Sequence, residues 1–313
     1  MVLDLIASGL VYSSIIVLGS VGLSLIYSIG DFANFAHGDT MTIGAYSALV
    51  TFGAVGTLGG TLLGLPYGFF VALVVGIVTA AVVAVITEKL VYQGMDVGSI
   101  GLLITSIGIA FIYRAIIQLR FGADFTRYDI QVLRPIDFLV PYGIRVTLHD
   151  VAIVISALVL VTGLHVLLQY TDLGRMMRAM SDNPDLARVS GIRTDRVRLW
   201  TWVIGAGLAG AGGVFLGLFS RLVPRMGFNL LLLIFAAVIL GGIGSVYGAM
   251  AGGFLIGMIN QLTPILSELG SLLPFVPDAW GIPIGIEYAD AIAFVIMVVV
   301  LLVRPTGIAG GEL

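Results

Sequence analysis

The stretch Thr171–Arg198, TDLGRMMRAMSDNPDLARVSGIRTDRVR, lies between two long apolar runs, Val151–Leu168 before it and Leu199–Leu218 after it. It carries Arg175, Arg178, Arg188, Arg193, Arg196 and Arg198, with Asp172, Asp182, Asp185 and Asp195 interleaved. Charges at this density cannot enter hydrocarbon, so the stretch stands in water at one face of a membrane while its apolar flanks cross. Its local grammar is helical. Asn183 can cap a helix, Pro184 suits the first position, Asp185 favours the positive end, and Gly191 suits a left-handed stop. Leu186 and Val189 then share one face of about two turns, with Arg188 off to the side. Two readings fit: a capped amphipathic helix that docks on another protein, or a charged connector that merely obeys the positive-inside rule.

The rest of the chain agrees with a membrane setting. Of 313 residues, 59% are hydrophobic and 11% charged, and the mean hydropathy is +1.11. That is far from soluble usage and indicates an all-α integral membrane protein. Apolar runs of spanning length fall at roughly 5–29, 41–63, 66–88, 98–120, 150–169, 199–220, 228–246 and 287–303. A shorter, glycine-rich run at 248–265 is either a ninth span or a re-entrant piece buried among its neighbours. The expectation is a polytopic bundle of 8–9 transmembrane helices forming one domain over 1–313. The opening MVLDLIASGL has Asp4 and no early basic residue, so it reads as a retained first helix and not as a signal peptide.

Orientation follows from the basic residues of short loops. With alternating spans, Lys89, the six loop arginines and Arg304 share one side, while Arg120, Arg127, Arg134, Arg145, Arg221 and Arg225 share the other. The dense cluster decides it: loop 171–198 and the C-terminus are cytoplasmic and the N-terminus is outside. Loop 266–286, with Glu268 and Asp278 and no basic residue, then lies outside. The external segment 121–149 contains alternating stretches, Tyr128–Val132 and Ile144–Leu148, that predict a small hairpin acting as a solvated cap.

Several chemistries are excluded, and serine nucleophiles, though not excluded, have no motif here. A phosphate-binding Walker loop needs Gly-Lys-Ser/Thr, and the single lysine, Lys89, stands in Thr87-Glu88-Lys89-Leu90. Without cysteine there are no disulfides, thiolate metal sites or thiol nucleophiles. His37, His149 and His165 are too scattered for a helix-borne zinc site, and no Gly-x-Ser-x-Gly elbow occurs. The net charge of −3 gives no sign of nucleic-acid binding. The middle of the spans reads as free of acids, with Arg114 placed to snorkel from a span end and His165 as a packing residue.

Two further stretches carry polar or conformational signals. In Asp31-Phe-Ala-Asn-Phe-Ala-His37-Gly-Asp39, the residues Asp31, Asn34 and His37 recur every three positions and predict one polar helical face. Asn34, His37 and Asp39 then border a passage between helices, or else sit in an interfacial loop that meets water. Glycine recurs every four residues at Gly244, Gly248 and Gly252, as do the small residues Ala209, Gly213 and Gly217. Such stripes pack helices closely, while Gly242, Gly244 and Ser245 can also break a helix beside a pathway.

At these stretches the chain resembles a known family. SLIYSIGDFANFAHGDTMTIGAY, RAMSDNPDLARVSGI, FAAVILGGIGSVYGAMAGGFLIG and the closing LLVRPTGIAGG are similar to branched-chain amino-acid ABC permeases, closer to the LivH-type than to the LivM-type subunit. The blocks run from the first span to the C-terminus. The resemblance implies a transport subunit that is not an enzyme and has no cofactor of its own, ATP-Mg being bound by partners. It implies pairing with a second, LivM-type permease, two cytoplasmic ATPase subunits and an extracytoplasmic solute-binding protein. It also implies that 183–191 is a coupling helix seated in the ATPase, with Ala187 packed against that partner and Arg175 and Arg178 nearby. The implied substrates are branched-chain or other hydrophobic amino acids. Urea or short amides, carried by relatives in the same family, are the alternative, and a stand-alone carrier or channel is the competing class.

Overall fold

The computed structural model describes residues 2–56, 59–131, 133–265 and 288–309. Among the described residues there are eleven α-helices and one two-stranded ribbon. The long apolar helices are α1 (Val2–Gly30), α2 (Ala36–Val55), α3 (Tyr67–Leu90), α4 (Ser99–Phe121) and α5 (Leu148–Tyr170). Two short helices follow, α6 (Asp172–Asp182) and α7 (Pro184–Val189), and then α8 (Thr194–Phe219), α9 (Met226–Gly241), α10 (Val246–Leu262) and α11 (Ala289–Val303). Helices α1, α3, α4, α5 and α8 are each long and apolar enough to cross a membrane. The expected all-α bundle is therefore what the sequence forms. The loop 266–286 lies outside the described residues.

Small residues set the centre. Gly22 of α1 lies against the Gly205 backbone of α8, and Gly44 of α2 lies against Gly210. At Gly213 an added Cβ would run into the Met41 carbonyl, so α2 and α8 meet backbone to backbone there. These contacts give Ala209 and Gly213 of the predicted stripe a packing role. Helix α10 completes the core by lying along α1, with Gly253 and Gly257 against Val17 and Ser13, and the Ser13 hydroxyl donates to the Phe254 carbonyl at 3.0 Å. The run 248–265 is thus most of a continuous helix in the bundle.

Contacts between loops sort the helix ends into two groups. At one end the Arg145 amide donates to Asp4 (2.8 Å), His149 meets the Gly64 carbonyl (3.1 Å) and Thr126 pairs with Leu222. At the other, Ser99 donates to Asp31 (3.5 Å) and Arg198 pairs with Glu88 (3.8 Å). The ends of α1, α3, α4, α5 and α8 thus alternate between the two groups.

Two expectations fail. The hairpin over 121–149 is not seen among the described residues: the Ile136 amide, outside both alternating stretches, donates to the Val146 carbonyl, and Thr126 pairs with Leu222. Its alternation arises because Tyr128 is drawn into the core, where its hydroxyl donates to the Ala45 carbonyl at 3.0 Å. The second span begins at Ala36 and ends at Val55, earlier at both ends than 41–63. A polar start is tolerated here because Asp39 and His37 Nε2 find partners inside the chain.

Candidate functional site

The charged loop folds as its capping residues require. Asn183 accepts a hydrogen bond from the Leu186 amide (2.9 Å), Pro184 occupies the first turn of α7, and Gly191 takes φ +85°. Leu186 and Val189 stand out in solvent, 64% and 86% exposed, with Arg188 beside them in a loose pair with Asp185, one turn back, at 3.9 Å. Ala187 faces the other way. It is 3% exposed and belongs to the core, so the expectation that it packs against a partner is corrected: its small size serves the seat of α7 on its own chain.

Helix α6, which sequence reasoning did not separate, supplies that seat. Thr171 caps it by accepting from the Gly174 amide (3.1 Å), and it buries Gly174, Met177 and Met180 while exposing its charges. Arg178 donates to the Leu168 carbonyl at the end of α5, where a helix leaves carbonyls unpaired. Arg175 pairs with Asp172 on the exposed face. Behind α7, a groove of about 710 Å³ opens between the end of α3 and the start of α8, lined by Glu88, Lys89, Arg188, Asp195, Arg196 and Arg198. Three of the loop arginines, Arg188, Arg196 and Arg198, therefore line one concave surface beside α7.

The polar run after α1 is arranged differently from its predicted face. Asp31 adopts φ +53° and ends α1, and Asn34 stays outside the helix, so Asp31, Asn34 and His37 share no helical face. Asn34 accepts from the Ala36 amide (3.0 Å) and starts α2, while His37 Nε2 meets the Gly19 carbonyl (2.9 Å). Asp39 is fully buried. Arg114 of α4 donates to it twice, Nε at 3.2 Å and a terminal nitrogen at 3.0 Å, and the guanidinium rests 4.5 Å from the Phe228 ring centroid. Arg114 does not snorkel; its partner is an acid in the first turn of α2. Asn34, His37 and Asp39 are all packed between helices of this one chain, 0–2% exposed.

Gly242, Gly244 and Ser245 do break the helix. Gly242 and Gly244 take φ +105° and +85°, and Ser245 starts α10 by accepting from the Gly248 amide at 3.0 Å. Gly248 and Gly252 pack against the α9 backbone, whereas Gly244 lies outside any helix. Sequence reasoning missed the cover on this break. The tail after α11 folds back, and the Ile308 and Ala309 amides donate to the Leu240 and Gly241 carbonyls, both at 2.9 Å. These are two of the carbonyls that the end of α9 would leave bare. Gly307, at φ +78°, lets the tail approach. His165 has a partner of its own, the Tyr247 hydroxyl at 2.9 Å.

Comparison with known proteins covers all these features together. The family described as branched-chain amino acid transport system / permease component matches residues 5–301. The chain is 29% identical to a protein of Methanocaldococcus jannaschii named "Probable branched-chain amino acid transport permease protein LivH", over 98% of this chain and 92% of that one. It is 29% identical to BraD of Pseudomonas aeruginosa, a high-affinity branched-chain amino acid transport system permease protein, over 98% and 95% of the two chains. The corresponding LivH of Escherichia coli K12 is 29% identical over 97% and 94%.

Proposed function

The chain belongs to the branched-chain amino acid transport permease family, and from that premise we propose that it is the membrane subunit of an ATP-driven importer of branched-chain or other hydrophobic amino acids. The observation that carries the reading is the extent of the match, which takes in the helical bundle and the charged loop alike. A multi-pass permease of a transport system needs a motor, and this chain has no Gly-Lys-Ser/Thr to hold nucleotide. The motor is therefore a pair of separate cytoplasmic ATPase subunits, with ATP-Mg bound there. A second permease subunit completes the passage and an extracytoplasmic binding protein delivers the solute.

In this reading the α6–α7 surface is cytoplasmic and the N-terminus outside. Leu186 and Val189 form the knob that enters the ATPase, and Asn183, Pro184, Asp185 and Gly191 keep that knob folded. Arg175, Arg178 and Arg188 frame it with positive charge. Closure of the ATPases pushes on α7, and because α7 and α6 are wedged between α5 and α8, the push moves whole helices. The break at Gly242, Gly244 and Ser245 stands at the same inner end, where a helix pair can pivot. The buried junction of Asn34, His37 and Asp39 holds the inner half of α2 to its neighbours.

Two outcomes are expected. The purified chain alone has no ATPase activity, and measurable hydrolysis by a rigorously pure single-subunit preparation would refute the division of labour. Reconstituted with ATPases, second permease and binding protein, it takes up leucine only with ATP on the α7 side. Uptake driven by an ion gradient without ATPases would instead make it a carrier.

A further inference from the structure

Over α2 lies a groove of about 480 Å³ whose walls are α3 and α4. Its floor is the face of α2 carrying Ile43, Tyr46, Ser47, Val50 and Thr51, and Arg120 of α4 stands at its edge. The size falls within the range of small-molecule sites, roughly 300–1,000 Å³. Its position is toward the end of the bundle that carries segment 121–149, the outer end in the proposed topology. Most of the lining is apolar, with Val75 of α3 and Ile116 of α4 facing the floor.

The few polar groups are of complementary kinds. Ser47 and Thr51 spend their hydroxyl protons on the Ile43 and Ser47 carbonyls, at 2.8 and 2.9 Å, which leaves oxygen lone pairs as acceptors. Tyr46 is 2% exposed and packs its ring on Phe121, with centroids 4.8 Å apart, so it closes the floor of the groove. Among the described residues Arg120 makes no ion pair; its guanidinium lies 5.4 Å from the Phe121 ring centroid. A guanidinium can donate twice to a carboxylate, two hydroxyl oxygens can accept from an ammonium, and the apolar walls suit a branched aliphatic side chain. A hydrocarbon tail of a lipid would use only the walls and leave every polar group idle.

We propose that this α2–α3–α4 groove is a substrate subsite for a hydrophobic α-amino acid in zwitterionic form. Arg120 takes the carboxylate, Ser47 and Thr51 face the ammonium, and Ile43, Val50 and Val75 hold the side chain. The proposal rests on the import function proposed above and names where in this subunit the solute is met.

The test is uptake of radiolabelled leucine by the fully assembled importer in proteoliposomes, with its binding protein. Arg120→Leu is expected to lower uptake at subsaturating leucine by about tenfold or more, the scale of one charged hydrogen-bonded contact, and Arg120→Lys to recover part of it. Val50→Trp, at a position 55% exposed, fills the groove without touching the core and is expected to block uptake to a similar extent. Assembly of each variant is checked by the yield of intact complex. Wild-type rates for both Arg120→Leu and Val50→Trp would overturn the subsite. So would loss of a retained phospholipid from Val50→Trp, read by native mass spectrometry, with uptake unchanged, since the groove would then be a lipid site. If the wild-type assembly itself takes up no leucine, isoleucine or valine, the import reading fails and the subsite with it.

Discussion

Replacing Asp39 with leucine is expected to cost about 3–5 kcal/mol, because it leaves the Arg114 guanidinium buried and unpaired in the membrane. The pair is the strongest polar tie between α2 and α4. It is bidentate, Asp39 is fully enclosed, and the Phe228 ring covers the cation. Helix α4 has little else to hold it: its buried stripe is only Ser106, Ala110, Tyr113, Arg114 and Ile117. Tyr113 adds a hydrogen bond to Thr87 of α3, and Ser106 accepts from the Phe35 amide at 2.9 Å. The expected phenotype is loss of the subunit from the membrane or a large fall in the midpoint of its thermal unfolding in detergent. The double variant Asp39→Leu/Arg114→Leu should recover much of the loss, since an apolar pair in place of a buried ion pair is often near neutral. Wild-type unfolding of the Asp39→Leu single variant would show that the pair does not anchor α4.

The second large effect concerns α7. Leu186→Asp combined with Val189→Asp is expected to abolish ATP-driven uptake while membrane levels stay normal. Both side chains are exposed, so neither change disturbs the fold. Each puts a charge where the docked knob would bury an apolar side chain, and an unpaired buried charge costs about 3–5 kcal/mol. Gly191→Val should act through shape, because a β-branched residue at φ +85° is strained by about 1–3 kcal/mol and unseats the end of α7. Ala187→Trp is expected to do something else. Since Ala187 faces the core, the bulky ring overpacks the seat by about 1–3 kcal/mol and should lower stability as well as coupling. Retained ATPase association and uptake in the double aspartate variant would reduce the loop to a connector.

Much of this was legible in the sequence because it depends on local rules. Hydrophobic run length located most of the spans, and the caps Asn183, Pro184 and Gly191 fixed α7 almost to the residue. What escaped depends on contacts between distant parts of the chain. Asp39 and Arg114 are 75 residues apart, and nothing in either neighbourhood announces that they meet. Run length therefore started α2 too late, since a partnered aspartate looks like a solvated one. The inward turn of Ala187 depends on α6 lying beneath it, and α6 is an amphipathic helix hidden in a run of charges. The tail over α9 was equally invisible, because its capping amides belong to Ile308 and Ala309, in a glycine-rich run that reads as a loose end. The polar start of α2 was read as a face because its spacing is helical, yet Asp31 turns the chain before the helix begins.

The claim on which the whole account turns is that α7 meets its motor on the cytoplasmic side. The chain has no cysteine, so Val189→Cys provides one thiol at an 86% exposed position. In intact cells an impermeant thiol reagent is expected to leave it unmodified. In inside-out vesicles it is expected to react, and to be protected when the ATPase subunits are bound. Modification of Val189→Cys from the outside of intact cells would contradict the topology, the coupling role of α7 and the direction of transport together.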